Sequence, residues 1–250
     1  MTMGSLYLIP VPLGEGGDIA SVIPEQARQL AASLKTFVVE HPKSARQFLK
    51  LTGTALPLQE IRMLTLDEHT RPADLEALLQ PLLDGEDVGL LSEAGCPAVA
   101  DPGANLVRLA HTRNIRVIPL VGPSSILLAL MASGLNGQSF AFLGYLPAEK
   151  MERVKRISEI EQTSQRLDQA QIFIETPYRN NQLLLDLVQT CDGETELCVA
   201  SDLTLPSESV MTKRVREWKK ELPDYGKRPT VFLLYRRAGR ARSAPPRQRK

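Results

Sequence analysis

Short apolar runs alternate with longer mixed stretches along most of this chain. LYLIPV (6–11), TFVVE (36–40), IRMLTL (61–66), DVGLLS (87–92) and RVIPLV (116–121) read as strands. Between them EQARQLAASL, KSARQFLKL, PADLEALLQPLLDG (with Pro72 near its start) and NLVRLAHTR read as helices, and SSILLALMASG adds a helix after the fifth strand. Strand and helix alternate, and the strands are apolar on both faces. The first ~138 residues therefore predict a parallel sheet covered on both sides.

FAFLGYL (140–146) opens a second series. It continues with a long charged helix, MERVKRISEIEQTSQRL, and a strand, QIFIE (171–175). RNNQLLLDLVQT reads as a helix, ELCVAS and SVMTKRV as strands, VREWKKEL as a helix and TVFLLYRR as the last strand. The hairpin-like end predicts a mixed sheet. The expected fold class is α/β, with an N-terminal domain over 1–138, a C-terminal domain over 139–236 and a ligand cleft between them.

Composition adds limits. The longest apolar stretch, Ile126 to Ala132, falls far short of the roughly 20 residues of a membrane span, and the first residues do not read as a signal peptide. Three cysteines, Cys96, Cys191 and Cys198, and three scattered histidines offer no metal-ligand spacing; a reducing cytoplasm and no metal are expected. Residues 236–250 hold seven of the 30 Lys/Arg and no acid, which leaves the remainder with 23 basic against 29 acidic residues. The tail over 237–250 is expected to be disordered, as either a polyanion-binding or a solubilising segment.

Chemistry is expected in the loops that follow the strands. PVPLGEGGDI lacks the third glycine of the dinucleotide fingerprint and the GK[ST] of a P-loop. SEAGCPAVADPG (92–103) packs small residues where backbone groups of Ala94, Gly95 and Ala98 can face a flat or charged ligand. Its Asp101 is expected to cap a helix starting near Pro102, and its Cys96 to fill space rather than act as a nucleophile. In VGPSS, Ser124 and Ser125 either cap a helix or bond a ligand carboxylate. No serine-hydrolase elbow, HExxH or paired CxxC is present.

LYLIPVPLGEGGDI, LLSEAGCPAVADPGANLVRLA, RVIPLVGPSSILLALMASGL, FAFLGYLP, IFIETPYR and ASDLTLPSES, in this order over residues 6–236, resemble the tetrapyrrole-methylase superfamily of S-adenosylmethionine (SAM) enzymes. The similarity is strongest to the branch that methylates a cytidine ribose 2′-hydroxyl in small-subunit ribosomal RNA. The resemblance implies a homodimer that binds folded SAM largely through backbone. Pro12 and Gly14 would lie beside the cofactor, and Ser92, Ala94, Gly95 and Val99 would wrap its amino-acid and ribose portions. Ser124 and Ser125 match a SAM-contacting hydroxyl pair, and Thr176, Leu203 and Thr230 fall where relatives contact the adenine.

The chain is expected to lack the small C-terminal extension of many members of that branch, and it departs from the branch in two motifs. VVEHPKS stands for an acidic pair followed by Thr-Arg, and Glu93-Ala94-Gly95-Cys96-Pro97 for Asp-Ala-Gly-Thr-Pro. No catalytic residue is assigned. Glu40 is a candidate base, with a salt bridge to Lys43 or Arg46 as its alternative role, and Lys43 and Arg179 are candidates to hold RNA phosphate. A small-molecule methyltransferase and a non-catalytic RNA- or ribosome-binding relative are the alternative readings.

Overall fold

The computed structural model describes residues 3–67 and 69–238. Nearly all of the basic tail, from residue 239 onward, lies outside the described residues. The first half runs β1 (Ser5–Ile9), α1 (Ile19–Val22), α2 (Glu25–Ser33), β2 (Thr36–Val39), α3 (Pro42–Thr52) and β3 (Arg62–Thr65). It continues with α4 (Pro72–Leu83), β4 (Val88–Leu91), α5 (Gly103–Thr112), β5 (Arg116–Pro119) and α6 (Ser125–Ser133). The five strands form one wholly parallel sheet in the order β3-β2-β4-β1-β5.

That order explains the apolar runs. Every residue of β2 and β4 is buried, whereas the edge strands β3 and β5 leave both ends exposed. Alternate residues feed two separate cores, as the strand pleat requires. Val38, Val88 and Leu90 pack with Leu79 and Leu82 of α4 and Leu106 of α5 on one face. Phe37, Val39 and Leu91 pack with Ala31 of α2 and Phe48 and Leu49 of α3 on the other. Gly89 in β4 is required by this packing, since a Cβ there would sit 2.6 Å from the Phe37 ring.

The second half contains β6 (Phe140–Tyr145), α7 (Lys150–Leu167), β7 (Ala170–Ile174), a 3-10 turn (Pro177–Arg179), α8 (Asn180–Thr190) and β8 (Glu196–Ser201). β9 (Ser209–Arg214), α9 (Val215–Trp218) and β10 (Thr230–Tyr235) complete it. The sheet order is β6-β7-β10-β8-β9, with β6 and β7 parallel and the other pairs antiparallel. The expected α/β class with a parallel and a mixed sheet is what the chain adopts. α9 is shorter than the eight residues expected. Trp218 is fully buried with its indole N–H on the Leu197 carbonyl, and the chain from residue 221 to Pro223 is irregular.

The chain divides into two compact units, residues up to Ser125 with Thr204–Pro206, and Ile126–Leu203 with the residues from Ser207 onward. In the second unit the Arg153 guanidinium, 5% exposed, pairs at 2.7 Å with Asp186, 1% exposed, and also donates to the carbonyls of Pro147 and Ala148. Among the described residues no helix is long and apolar enough to cross a membrane.

Candidate functional site

In a parallel sheet every strand ends on the same side, so the loops after β1, β2, β4 and β5 gather at one edge of the first unit. Strand order decides which of them touch. β1 lies between β4 and β5, and the loop after it is joined to the loop after β4 by two backbone hydrogen bonds. Val11 N–H donates to the Gly95 carbonyl at 3.0 Å, and Gly95 N–H to the Val11 carbonyl at 3.2 Å. Gly95 therefore offers neither backbone group to a ligand. What it contributes is a left-handed φ of 71° and close approach, since a Cβ there would lie 3.1 Å from Leu13 and 3.4 Å from the Pro123 carbonyl.

The loop after β5 closes on the same point. A Cβ on Gly122 would sit 2.3 Å from Cβ of Pro10, and the Cys96 thiol donates to the Pro123 carbonyl at 3.4 Å. Burial pushes the Cys96 thiol up, so it stays protonated near neutral pH and packs as a small side chain. The Ser92 hydroxyl turns back onto the carbonyls of Ala94 and Gly95, each at 3.3 Å.

Beyond Pro97 the loop is strained. Ala98 and Ala100 have φ of 66° and 56°, a region that costs a residue with a Cβ about 1–2 kcal/mol. Asp101 holds this shape, its Oδ1 accepting Ala98 N–H at 3.0 Å and Gly103 N–H at 2.7 Å. The capping role expected of Asp101 is present, displaced by one residue: α5 starts at Gly103 and Pro102 occupies the cap position. A side chain at 103 would place its Cβ 2.8 Å from that carboxylate, which accounts for glycine there. Burial raises the Asp101 pKa against the two N–H bonds that lower it. The loop leaves Ala94 and Ala100 exposed, and Val99 47% exposed.

Beside these loops lies a cavity of about 410 Å³. One wall is the glycine-rich loop from Val11 to Gly17, and the opposite wall is α3 through Ser44, Ala45, Gln47, Phe48, Lys50 and Leu51. Ser92 and Glu93 complete the lining. Gly14 is backed by Leu205, whose Cδ1 would lie 2.7 Å from an added Cβ. The two departures from the resembling family touch each other here. The Ser44 hydroxyl donates to Glu93 Oε1 at 2.6 Å, and His41 Nδ1 lies 3.7 Å from the same oxygen.

Of the residues singled out in the sequence, Pro12, Gly14 and Ser92 line the cavity, while Ala94, Gly95 and Val99 continue from it along the β4 loop. Ser124 and Ser125 are half-buried at the start of α6. Glu40 follows β2 directly and is half-buried, and Lys43 is exposed on the first turn of α3.

In the second unit, Thr176 precedes the 3-10 turn and Leu203 is buried. Thr230 is buried with its hydroxyl on the Arg228 carbonyl, 2.8 Å from the Ser201 hydroxyl. The Arg179 guanidinium is drawn onto the buried Glu175 carboxylate, at 2.6 and 3.0 Å. Apart from Lys43 and Arg46, no motif in the sequence singles out the α3 wall. Its signal was present in KSARQFLKL, where basic and apolar residues fall on different sides of one helix.

No family model matches the chain. Over 239 residues it is 32% identical to the ribosomal RNA small subunit methyltransferase I of Vibrio cholerae, an alignment covering 94% of this chain and 78% of that one. It is 32% identical over 210 residues to the protein of the same name from Xylella fastidiosa, covering 84% and 72%. Among solved structures it superposes on the methyltransferase CobJ with a TM-score of 0.62 at 18% identity, over 94% of this chain and 97% of that one. The uroporphyrin-III-C-methyltransferase from Thermus thermophilus gives 0.52 at 18% identity, over 93% and 92%. The structural likenesses establish the methyltransferase fold, and the sequence relatives, aligned across both sheets, establish the family. The chain is a methyltransferase and belongs to the ribosomal RNA small subunit methyltransferase I family.

Proposed function

We propose that this methyltransferase uses SAM to methylate a cytidine ribose 2′-hydroxyl in small-subunit ribosomal RNA. The observation that carries the reading is the identity of 32% over 94% of the chain with a relative named for that RNA. The local architecture supports it. Three loops of small residues are locked together at the strand ends, beside a cavity of about 410 Å³, within the range of small-molecule sites. Such a surface suits a cofactor held by backbone and small side chains of Pro12, Gly14, Ser92, Ala94, Val99, Ser124 and Ser125, with Gly95 contributing close approach instead of a hydrogen bond. Thr176, Leu203 and Thr230 are proposed to hold the adenine on the strength of the resemblance alone.

SAM supplies, when bound, a methyl group already made electrophilic by its sulfonium. The residues of this chain need chiefly to align the acceptor hydroxyl and receive its proton. Glu93 is better placed than Glu40 for the proton, because it borders the cavity and is already oriented by the Ser44 hydroxyl. Glu93→Gln is expected to lower kcat without changing SAM affinity, read by steady-state kinetics and calorimetry. Lys43 is proposed as a phosphate contact, whereas Arg179 would first have to leave Glu175.

A homodimer is proposed from the resemblance alone. Light scattering on the purified chain tests it. Cytoplasmic residence is proposed with ribosomal RNA as substrate, and the three unpaired cysteines agree with it. The test of the function is a map of 2′-O-methylation in ribosomal RNA from a strain lacking the gene. Loss of one small-subunit cytidine modification, restored by the wild-type chain, is expected; an unaltered map refutes the substrate.

A further inference from the structure

We propose that α3 is the RNA-binding element: its basic stripe holds phosphates of an unpaired strand, and the cavity wall beside that stripe receives the nucleoside to be methylated. This deepens the proposed function and rests on it for the identity of the acceptor. The helix carries Lys43, Arg46 and Lys50 and no acidic residue. At about 100° per residue these three fall within an arc of about 60°, and all are exposed. Ala45, Phe48 and Leu49 form the opposite face and are buried in the core under the sheet. No ion pair occupies Lys43, Arg46 or Lys50 among the described residues, in contrast to Arg214, Arg216, Arg236 and Arg237, each of which is paired to a carboxylate. Among the described residues, the α3 cations thus have no carboxylate partner to give up to a polyanion.

The cavity flanks this stripe. Gln47 and Leu51, on the stripe's edge, line it together with Phe48 beneath and the glycine loop across. Leu51 is 60% exposed although it is a large aliphatic residue, and Gly16 and Gly17 present bare backbone opposite α3. A flat heterocycle fits between an aliphatic side chain and peptide planes, with the Gln47 amide able both to donate to and to accept from a base edge. Sequence-specific RNA binding depends on such unstacked bases. The chemistry needs the acceptor beside the cofactor. Pro12, Gly14 and Ser92, shared between the cavity and the proposed cofactor surface, supply that adjacency, while none of the α3 residues is claimed by the cofactor.

The test uses the full chain and a fluorescein-labelled single-stranded RNA dodecamer of cytidines, titrated by anisotropy from 0.05 to 0.5 M salt. Each phosphate contact on a single strand contributes about 0.7 to the slope of log affinity against log salt. The triple variant Lys43→Ala, Arg46→Ala, Lys50→Ala is therefore expected to flatten the slope by about 2. At 0.1 M salt that corresponds to roughly 100-fold weaker binding, converging with wild type toward 1 M. Gln47→Ala is expected to leave the slope unchanged while abolishing the preference for the cytidine dodecamer over one of abasic residues.

A control pair on α7, Lys155→Ala with Arg156→Ala, is expected to behave as wild type. SAM affinity by calorimetry, with far-ultraviolet circular dichroism, is measured on every variant and separates the two ideas. A triple variant that binds SAM normally and keeps the wild-type salt slope overturns the role of α3 and leaves the methyltransferase reading standing. Absence of SAM binding by the wild type strikes at that reading, while a flattened slope still upholds the RNA surface.

Discussion

Removing the Asp101 carboxylate tests whether the strained β4 loop is held from within. Asp101→Ala leaves Ala98 N–H and Gly103 N–H without their acceptor. Loss of a helix cap costs about 1 kcal/mol, and a half-buried N–H left unpaired costs about another 1. A decrease of about 2 kcal/mol in unfolding free energy is expected, with an unchanged urea m value. Asp101→Asn keeps an acceptor oxygen and discards the charge, so it should stay within about 0.5 kcal/mol of wild type or exceed it at pH 7.

The pH dependence has a definite sign. Burial raises the folded pKa of Asp101 above the ordinary 3.8, so the native state binds the proton more readily than the unfolded chain. The contribution of Asp101 is then most favourable at low pH and is lost as pH rises through the folded value. Wild type should gain on Asp101→Asn as pH falls through that value, read by urea titrations between pH 4 and 7. If Asp101→Asn is as damaging as Asp101→Ala at neutral pH, the carboxylate acts through its charge and the reasoning fails.

Three other outcomes are expected. Gly122→Ala would drive a Cβ to 2.3 Å from the Pro10 ring and should cost about 1–3 kcal/mol in urea titrations; Gly137→Ala, with nothing within 4 Å of the added Cβ, is the matched control. Arg153→Ala strands the buried Asp186 carboxylate and should lose about 3–5 kcal/mol, whereas joint replacement of both by apolar residues should recover most of that loss. Burial keeps the Cys96 thiol protonated, so iodoacetamide at pH 7.5 should alkylate it more slowly than glutathione; Cys198, pushed up to about 11, should react more slowly still. Mass spectrometry after timed quenching reads both sites, and a Cys96 that outpaces glutathione would contradict its packing role.

Much of this molecule is legible in its local sequence. Apolar runs such as DVGLL and TFVV could only be strands covered on both sides, and helix spacing marked α2 to α8 to within a few residues. Small residues in SEAGCPAVADPG marked a loop meant for close approach, and ADPG a helix start. The residue at which α5 begins was misjudged by one, because the Asp101 carboxylate reaches past Pro102 to Gly103 and also back to Ala98. VREWKKEL has the spacing of a longer helix than α9, and that spacing does not reveal that Trp218 is locked to the Leu197 carbonyl.

Strand order was beyond local reading, and it determines the site. Placing β1 between β4 and β5 brings Val11, Gly95 and Pro123 together, and placing β2 beside β4 brings Ser44 to Glu93, 49 residues away in the chain. The same neighbours turn the backbone of Gly95 inward, although the glycine alone suggested a group open to a ligand. Element type follows from side-chain periodicity within a few residues. Which loops meet follows from how whole faces are buried, an energy shared among residues far apart in sequence. The small-residue loops were therefore visible one by one, while the α3 wall and the cavity it closes came only with the folded sheet.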